Sequence, residues 1–388
     1  MLILYYKYLE DKFLKITSYE ALCNLGNNIN EIYNRAINGD VSCFDKLNNY
    51  ISDDYIYVGV IKENLDKIDN QDYNTRCNKL LLKNIGLLNN EIDILKEKYP
   101  SEKIGVIVAS TNAGVSEFET TNNPKHFAFS TPALFLKEYL NLNGFYSSVS
   151  TACSSGLKAF SLVRDLFNSN ILDAAIIACI DSLSKVPIYG FHSLEVLSNK
   201  PSIPFSKNRC GMNIGEASAI FITEKEALNG ISVMGIGESS DIYHLTTPDP
   251  EAKESIRAIN IALKEASLTP DDIDYINAHG TGTVANDVME ANAIYKIFKN
   301  NAPISSTKPM TGHCLGAASG IETALCCKLL DCFDGRLYPH IYDNKYDKTL
   351  PQINLVEKNK KYEKCNICMC NSFGFGGTNA IMILGKKL

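Results

Sequence analysis

Short runs of uninterrupted apolar residues alternate along this chain with longer stretches in which apolar residues recur every three or four positions. The short runs are rich in Ile, Val and Ala, which is typical of strands buried on both faces of a sheet. The stretch Glu251–Ala266 instead places Ile256, Ile259 and Leu263 along one face of a predicted helix. This alternation predicts an α/β architecture with parallel strands. The strand candidates are Lys103–Ala109, Ala174–Cys179, Ala217–Ile222, Ile273–Ala278 and Ala380–Leu384.

One glycine marks a boundary between two units of the chain. Gly230 follows a predicted strand and the charged stretch Glu224–Leu228. We therefore predict one domain over residues 1–229 and a second over residues 230–388. The similar alternation of strands and helices on both sides suits a duplicated fold whose halves have diverged.

Composition excludes several classes of protein. The 388 residues are 45% hydrophobic and carry a net charge of -6 without a dense Lys/Arg block, so the electrostatic footprint of a nucleic-acid-binding protein is missing. The N-terminal stretch Met1–Lys12 does not fit a signal peptide, and no apolar run reaches the length of a membrane span. We predict a cytoplasmic protein without an integral membrane segment. In that compartment the 13 cysteines are expected to be free thiols.

A zinc site is an alternative role for three of the cysteines. Cys365, Cys368 and Cys370 lie close together in the sequence. A structural zinc site normally needs a second ligand pair, and this stretch is typical of a buried strand. We predict no metal there.

The segment Ser150–Gly156 (STACSSG) precedes an amphipathic stretch and is typical of a strand-to-helix turn. A cysteine at the start of a helix meets unpaired backbone N–H groups, which favour the thiolate. Cys153 is therefore a candidate nucleophile. Taken alone, however, the segment favours the other interpretation, in which Cys153 is a small thiol that fills a buried gap.

Two histidines lie in loops rich in Gly and Thr. His279 belongs to Asn277–Thr283 (NAHGTGT), directly after a predicted strand, where ligands bind in open α/β sheets. His313 belongs to Ser305–Glu322, in which Lys308 and Glu322 flank the histidine at the edges of a predicted helix. Buried charges of this kind need each other or a bound group. A structural ion pair would explain the charges but not the histidine.

A fourth segment, Asn371–Asn379 (NSFGFGGTN), places three glycines around Phe375. The spacing does not fit a dinucleotide-binding loop. An oxyanion loop or a hydrophobic gate is one interpretation, and a tight turn without a ligand is the other.

These four segments, in this order, resemble the β-ketoacyl-acyl-carrier-protein synthases of the Cys-His-His type. Ile203–Glu216 (IPFSKNRCGMNIGE) is similar to a further segment of that family, and the resemblance covers residues 15–388. It implies a thiolase fold, in which two similar α/β halves form a five-layered α-β-α-β-α structure. Residues 1–229 would carry the nucleophile, and residues 230–388 would carry both histidines.

The resemblance also implies roles for individual residues. Cys153 would accept an acyl primer, while His279 and His313 would face a malonyl thioester that loses CO2 and extends the primer to a β-ketoacyl thioester. Lys308 and Glu322 would form a supporting ion pair. Substrate contacts are implied for Phe375, as a gate, and for Thr281, Thr283, Gly376 and Phe191.

The resemblance implies no metal and no organic cofactor. Its expected partners are an acyl-carrier protein bearing acyl and malonyl thioesters and a second synthase-like subunit, in a homodimer or a heterodimer. Gly190–Pro201 and Gly237–Glu251 look similar to the aryl-polyene branch, within the wider range of fatty acid, polyene and polyketide synthesis. Cys210 departs from the family pattern, because an Asp is usual at that position.

Two alternative functions remain open from the residues. In the first alternative, the chain is a silent subunit that controls chain length in a heterodimeric synthase, although such subunits lack the nucleophilic cysteine. A Cys-dependent thioester hydrolase would need Cys153 and one histidine, which leaves the second histidine and Lys308 unexplained.

Overall fold

The computed structural model describes residues 14–48 and 55–386, so the predictions made for Met1–Lys12 lie outside the described residues. The strands are β1 (Lys15–Cys23), β2 (Phe44–Leu47), β3 (Ile56–Gly59), β4 (Ile104–Ala109), β5 (Tyr146–Val149), β6 (Ala174–Asp181), β7 (Ile214–Gly215), β8 (Ala217–Glu224), β9 (Ile231–Ser240), β10 (Tyr275–Asn277), β11 (Pro303–Ser305), β12 (Asn354–Leu355), β13 (Ile367–Gly374) and β14 (Thr378–Gly385).

Three of the α-helices begin after a side-chain cap, at Asn28, Thr75 and Asn123; α1, for example, starts after Asn28, whose side chain accepts the N–H of Glu31 at 2.9 Å. They are α1 (Ile29–Ile37), α2 (Arg76–Ile85), α3 (Asn89–Lys98), α4 (Val115–Thr121), α5 (Pro124–Phe127), α6 (Thr131–Tyr139), α7 (Ser155–Asn168), α8 (Lys185–Ser193), α9 (Lys253–Ala266), α10 (Val284–Phe298), α11 (Lys308–Thr311) and α12 (Ala318–Cys332). Single 3-10 turns occur at Gly86–Leu88, Ser101–Lys103, Pro270–Asp272 and Leu315–Ala317.

The strand order repeats. In space the first set is ordered β5-β4-β6-β8-β1, and the second set is ordered β11-β10-β13-β14-β9, with β12 added at its edge. In each set the first three strands are parallel, and the fourth strand, β8 or β14, is antiparallel to both of its neighbours, so the fifth strand again runs in the direction of the first three. The prediction of parallel strands is therefore wrong for β8 and β14. The two sets meet where β1 pairs with β9 over two residue pairs, Lys15 with Ser232 and Ile16 with Ile231. A three-stranded sheet, β2-β3-β7, lies apart from both.

The apolar residues divide the structure into five layers. The middle layer is formed mainly by α7 and α12, which pack against both strand sets through one core cluster. Helices α2, α3 and α6 cover the other face of the first set, and α9 and α10 cover the other face of the second. The middle layer joins the two sets because its helices and both strand sets share one apolar cluster. The cluster includes Leu157 and Phe160 of α7, Ile321 and Leu325 of α12, Ile177 and Phe221 of the first set, and Cys370 and Met382 of the second.

The five predicted strands are confirmed, with ends that differ by at most two residues. The predicted helix at Glu251 begins instead at Lys253, because Ala252 has a positive φ of 59° that is incompatible with a helix. Among the described residues, no helix is long and apolar enough to cross a membrane. The cytoplasmic location stays a prediction from the sequence.

Candidate active site

Cys153 lies in the turn that joins β5 to α7, as the sequence predicts. The residue before it, Ala152, has a φ of 52°, so the chain turns sharply and presents the cysteine at the start of the helix. Two hydroxyl groups hold the carbonyl oxygen of Cys153: Ser372 Oγ donates at 2.8 Å and Ser319 Oγ at 3.2 Å. The nucleophile is therefore fixed by residues from β13 and α12, in the other half of the chain.

His313 lies against the cysteine. Its Nε2 atom is 3.0 Å from Cys153 Sγ, and its Nδ1 atom accepts the backbone N–H of Leu315 at 3.0 Å. Its own backbone N–H donates to the carbonyl of Asn213 at 2.7 Å, and its carbonyl accepts the N–H of Gly215 at 3.0 Å. Because Nδ1 is an acceptor, the neutral ring carries its proton on Nε2 and points that donor at the sulfur.

His279 presents its ring to the same point. It follows β10 at the carboxyl end of the strand, and its ring centroid is 5.5 Å from that of His313. Its Nδ1 atom is 3.3 Å from Lys308 Nζ, which also binds Glu322 Oε1 at 2.5 Å. The ammonium group donates to Nδ1, so the proton of this imidazole is also on Nε2.

Cys153, His279 and His313 thus meet at one point. Their ligand atoms lie within 4.8 Å of one another, and all three side chains are buried. Among the described residues this is the group of Cys, His, Asp and Glu side chains whose spacing suits a metal ion. A cation bound there would be repelled by the nearby buried ammonium group of Lys308. Two N–H donors beside a sulfur suit a substrate oxygen that gains negative charge.

Burial sets the protonation states of Cys153, His279 and His313. It raises the pKa of the Cys153 thiol to about 11, although Lys308 and the backbone N–H of Phe375 act in the opposite direction. Burial and the positive charge of Lys308 lower the pKa of His313 to about 3, and they hold the pKa of His279 well below its usual value. Backbone N–H groups at this turn do lower the pKa of Cys153, as the sequence predicts, but desolvation outweighs them in the resting site.

Two cavities, each of about 450 Å³, share Cys153 in their walls. The first also contains His279, His313, Thr281 and Thr283. The second is lined mainly by apolar groups and lies beside α8 and Leu315. Because the nucleophile faces both spaces, two groups can approach it from different sides.

The glycine-rich segment around Phe375 is the turn between β13 and β14. The Phe375 ring packs against Phe191, with centroids 5.5 Å apart, and both side chains line both cavities. Gly376 does not line either cavity; its N–H donates to the carbonyl of Leu245 at 2.7 Å. The segment is thus a tight turn whose Phe375 ring forms part of both cavity walls. Its use as an oxyanion loop or a gate stays a prediction.

Sequence reasoning missed the carboxylates behind the His279 loop. Glu290 accepts the backbone N–H of His279 at 2.8 Å and of Gly280 at 2.6 Å, and Asp287 accepts that of Gly282 at 3.2 Å. Both acids are fully buried on α10. Two acidic residues on the buried face of a helix that follows a glycine-rich loop are the signal that would have found them.

Asp181 was also missed. This buried carboxylate at the end of β6 accepts the N–H of Thr111 at 3.0 Å, of Asn112 at 2.8 Å and of Gly316 at 2.6 Å. It thereby ties the wall of the second cavity to the turn that follows His313. Burial raises its pKa to about 6.

Cys210 lines the first cavity, and its Sγ is 3.0 Å from Ser198 Oγ. The cysteines near the C-terminus lie apart from the trio: Cys365 Sγ and Cys368 Sγ are 3.6 Å apart, and both are buried. Among the described residues, they are not part of a group with the spacing of a metal site.

The depressed pKa of His313 predicts a pH-dependent contribution to stability. A folded-state pKa of about 3 against an ordinary 6.5 means that stability is lost as pH falls through this interval, because only the unfolded chain takes up the proton. In His313→Asn the amide oxygen still accepts the Leu315 N–H but does not titrate. Between pH 6.5 and pH 5 we expect wild type to lose roughly 2 kcal/mol relative to this variant. Urea unfolding at both pH values measures it, and equal losses would contradict the buried neutral imidazole.

Comparison with known proteins identifies the relatives of this site. The sequence profile of the β-ketoacyl synthase N-terminal domain matches residues 61–227, and that of the C-terminal domain matches residues 231–333. The chain belongs to the β-ketoacyl synthase family. This β-ketoacyl synthase chain places Cys153 in the part matched by the first profile, and His279 and His313 in the part matched by the second.

Individual relatives agree with the profiles. Over 263 residues the synthase chain is 36% identical to 3-oxoacyl-[acyl-carrier-protein] synthase 2 of Coxiella burnetii, and the match spans 63% of each protein, less than two thirds of that relative. It is 28% identical to the protein of the same name from Staphylococcus aureus, over 97% of this chain and 99% of that protein. The ketosynthase ApeO of Xenorhabdus doucetiae, solved in complex with its chain length factor ApeC, is 33% identical, with a TM-score of 0.91 and coverage of 97% of this chain and 99% of that chain. The five layers are those of the thiolase fold, as the resemblance implied.

Proposed function

We propose that this β-ketoacyl synthase catalyses a decarboxylative Claisen condensation between an acyl primer carried on Cys153 and a malonyl-acyl-carrier protein. The observation that carries the proposal is the meeting of one sulfur with two imidazoles: His313 Nε2 lies 3.0 Å from Cys153 Sγ, and a ring nitrogen of His279 lies within 4.8 Å of both. A hydrolase would need only one of these rings. The second donor has a use when a thioester oxygen becomes negatively charged.

The first step transfers the primer to the enzyme. Sγ of Cys153 attacks the carbonyl carbon of the acyl-carrier thioester, and the carrier thiol leaves with the proton. The backbone N–H groups of Cys153 and Phe375 lie close enough to Sγ to affect its pKa, and we assign them to the oxyanion of this step. The resting thiol loses its proton only when substrate is bound, since burial raises its pKa.

The second step uses the histidines. The malonyl thioester loses CO2, and the electron pair of the broken C–C bond moves onto the thioester oxygen, where the Nε2–H groups of His279 and His313 stabilise the enolate. The enolate carbon then attacks the acyl carbonyl on Cys153, a C–C bond forms, and the cysteine leaves as a thiolate. The thiolate takes up one proton from solvent, which restores the resting thiol. Lys308 and Glu322 support this step by keeping a donor on Nδ1 of His279.

The two cavities suggest how the substrates are divided. We assign the apolar cavity beside α8 to the primer chain and the cavity that contains Thr281 and Thr283 to the extender, whose carrier arm is polar. Phe375 and Phe191 are the proposed gate between the primer cavity and the extender cavity, because their rings line both cavities. Gly376 would then contribute flexibility to the turn rather than a contact.

The unit boundary, the partners and the pathway are also proposals. Residues 1–229 and 230–388 are assigned to the two halves, because β8 ends at Glu224 and β9 begins at Ile231. An acyl-carrier protein and a second synthase-like subunit are the proposed partners; ApeO forms a complex with a chain length factor. Fatty acid, polyketide or aryl-polyene synthesis is the proposed setting.

Intact-mass spectrometry tests the function. The purified chain, alone and with a candidate partner subunit, is incubated with acyl-carrier thioesters of different lengths and then with malonyl-carrier protein. We expect a Cys153 acyl adduct that disappears as β-ketoacyl carrier and CO2 form. Free acid without a new C–C bond would indicate a hydrolase. Condensation only beside a partner, without an adduct on this chain, would indicate a silent subunit.

A further inference from the structure

His340 is a buried imidazole that the proposed reaction does not use. It lies between α12 and β12, and its two ring nitrogens contact two different segments. The backbone N–H of Ser306 donates to Nδ1 at 3.2 Å, and Nε2 donates to the carbonyl oxygen of Pro204 at 3.0 Å. This pattern requires a neutral ring with its proton on Nε2.

Ser306 connects the His340 imidazole to two segments that the proposed reaction assigns to the extender: the loop of His279 and the start of the helix that carries Lys308. Its hydroxyl donates to the carbonyl oxygen of Gly280, the residue after His279, at 2.7 Å. The same hydroxyl accepts the backbone N–H of Lys308 at 3.3 Å. One residue thus holds the backbone beside His279 and the start of the helix that carries Lys308, and His340 binds the N–H of that residue.

Gly280 packs directly on the groups that His340 holds. Its φ is 33°, and a Cβ there would lie 2.5 Å from Ser306 Cβ and 3.5 Å from the Phe205 ring. Phe205 itself has a φ of 59°, a conformation that a bulky residue adopts only when its surroundings impose it. The His340 ring lies 5.6 Å from the Phe205 ring, and it binds the carbonyl immediately before Phe205.

Cys153 and His313 are held by other groups. The Cys153 carbonyl binds Ser319 and Ser372, and the His313 ring binds Leu315. A small shift of Ser306 would therefore move His279 and Lys308 before it moved the nucleophile.

We propose that His340 is a positioning residue for the extender half of the reaction. Its imidazole holds Ser306 and Phe205 against Gly280 and so sets the position of His279 relative to the malonyl thioester, while acylation of Cys153 depends on it far less. The inference rests on the proposed condensation.

Two substitutions separate the two hydrogen bonds of the ring. In His340→Asn the amide oxygen occupies the position of Nδ1 and accepts the Ser306 N–H, whereas in His340→Gln the amide reaches the position of Nε2 and binds Pro204 instead. Each variant keeps one bond and loses one, so a simple loss of stability would affect them similarly. Since misplacement by about 1 Å costs about 10²-fold in rate, we expect His340→Gln to slow condensation about 10- to 100-fold and His340→Asn to slow it far less.

The measurement is single-turnover kinetics on full-length protein. Acylation of Cys153 is followed by intact mass, and condensation is followed by mixing the acylated enzyme with malonyl-carrier protein. We expect acylation to change less than about 3-fold in both variants, because Lys308 acts on Cys153 only through its charge. Parallel loss of both steps, or wild-type condensation in His340→Gln, would overturn the inference. If wild type itself forms no adduct or no C–C bond, the proposed function fails instead.

His126 provides a matched control. It is similarly buried and also makes two ring hydrogen bonds, to Thr121 Oγ1 at 3.0 Å and to the Gln71 carbonyl at 2.9 Å, but it lies on α5. His126→Asn and His126→Gln are expected to lower the unfolding temperature without slowing condensation relative to acylation. A selective loss of condensation in these variants as well would show that any buried histidine gives this result, and would overturn the role of His340.

Discussion

Cys153→Ala is expected to reduce acyl transfer and condensation by at least about 10³-fold, because the substitution removes the sulfur that we assign as the carrier of the primer. The substitution removes a sulfur whose surroundings stay in place, since Ser319 and Ser372 bind the backbone carbonyl of residue 153 rather than its side chain. The fold should therefore be retained. Intact-mass analysis with acyl-carrier thioester should show no adduct, and product analysis should show no β-ketoacyl carrier.

Cys210→Ala is the matched control for this experiment, because Cys210 lines the first cavity and is exposed. We expect it to keep the adduct and most of the activity. If Cys153→Ala elongated an acyl-carrier thioester at the wild-type rate, the assignment of the nucleophile would be wrong. If Cys210→Ala lost the adduct, the primer would be carried elsewhere.

Lys308→Met is expected to have the largest effect on stability. It leaves Glu322 buried without its counter-charge, which costs about 3–5 kcal/mol in comparable cases. Burial already raises the pKa of Glu322 to about 7 beside Lys308, and loss of the lysine raises it further. An acid with a raised folded-state pKa destabilises the fold as pH rises, so the loss should be greater at pH 8 than at pH 6. Urea unfolding at both pH values measures it.

The double variant Lys308→Met/Glu322→Leu separates stability from catalysis. Replacing both members of a buried ion pair by apolar residues is often neutral for stability, so the free energy of unfolding should largely recover. Condensation should not recover, because Nδ1 of His279 still lacks its donor. Recovery of condensation would mean that Lys308 has only a structural role.

The positions of Cys153, His279 and His313 could be predicted from sequence, because each lies in a segment rich in glycine or other small residues at the end of a strand or the start of a helix. Cys153, His279 and His313 are brought together as the resemblance implied. Lys308 and Glu322 could be paired for a general reason, since buried charges need partners.

The protonation of Cys153 could not be predicted in the same way. The helix start is visible in the sequence, whereas the desolvation that raises its pKa depends on how the whole fold buries the sulfur. Residues from the other half of the chain take part, since Ser319 and Ser372 bind the Cys153 carbonyl and Phe375 lines the same cavities. Glu290 and His340 were missed for a related reason. Both act through backbone groups of distant residues, and a backbone contact leaves no motif around the side chain that makes it.

The short pairing of β1 with β9, where the two strand sets meet, affects how the protein folds during its synthesis. Only two residue pairs join the strand sets there, while α7 and α12 bury apolar surface against both. A nascent chain that has left the ribosome as far as β8 would expose the face that α12 later covers, and such surfaces attract chaperones or aggregate. Neither half on its own would hold both the sulfur and the imidazoles, so translation has to pass His313 before any of this chemistry can begin.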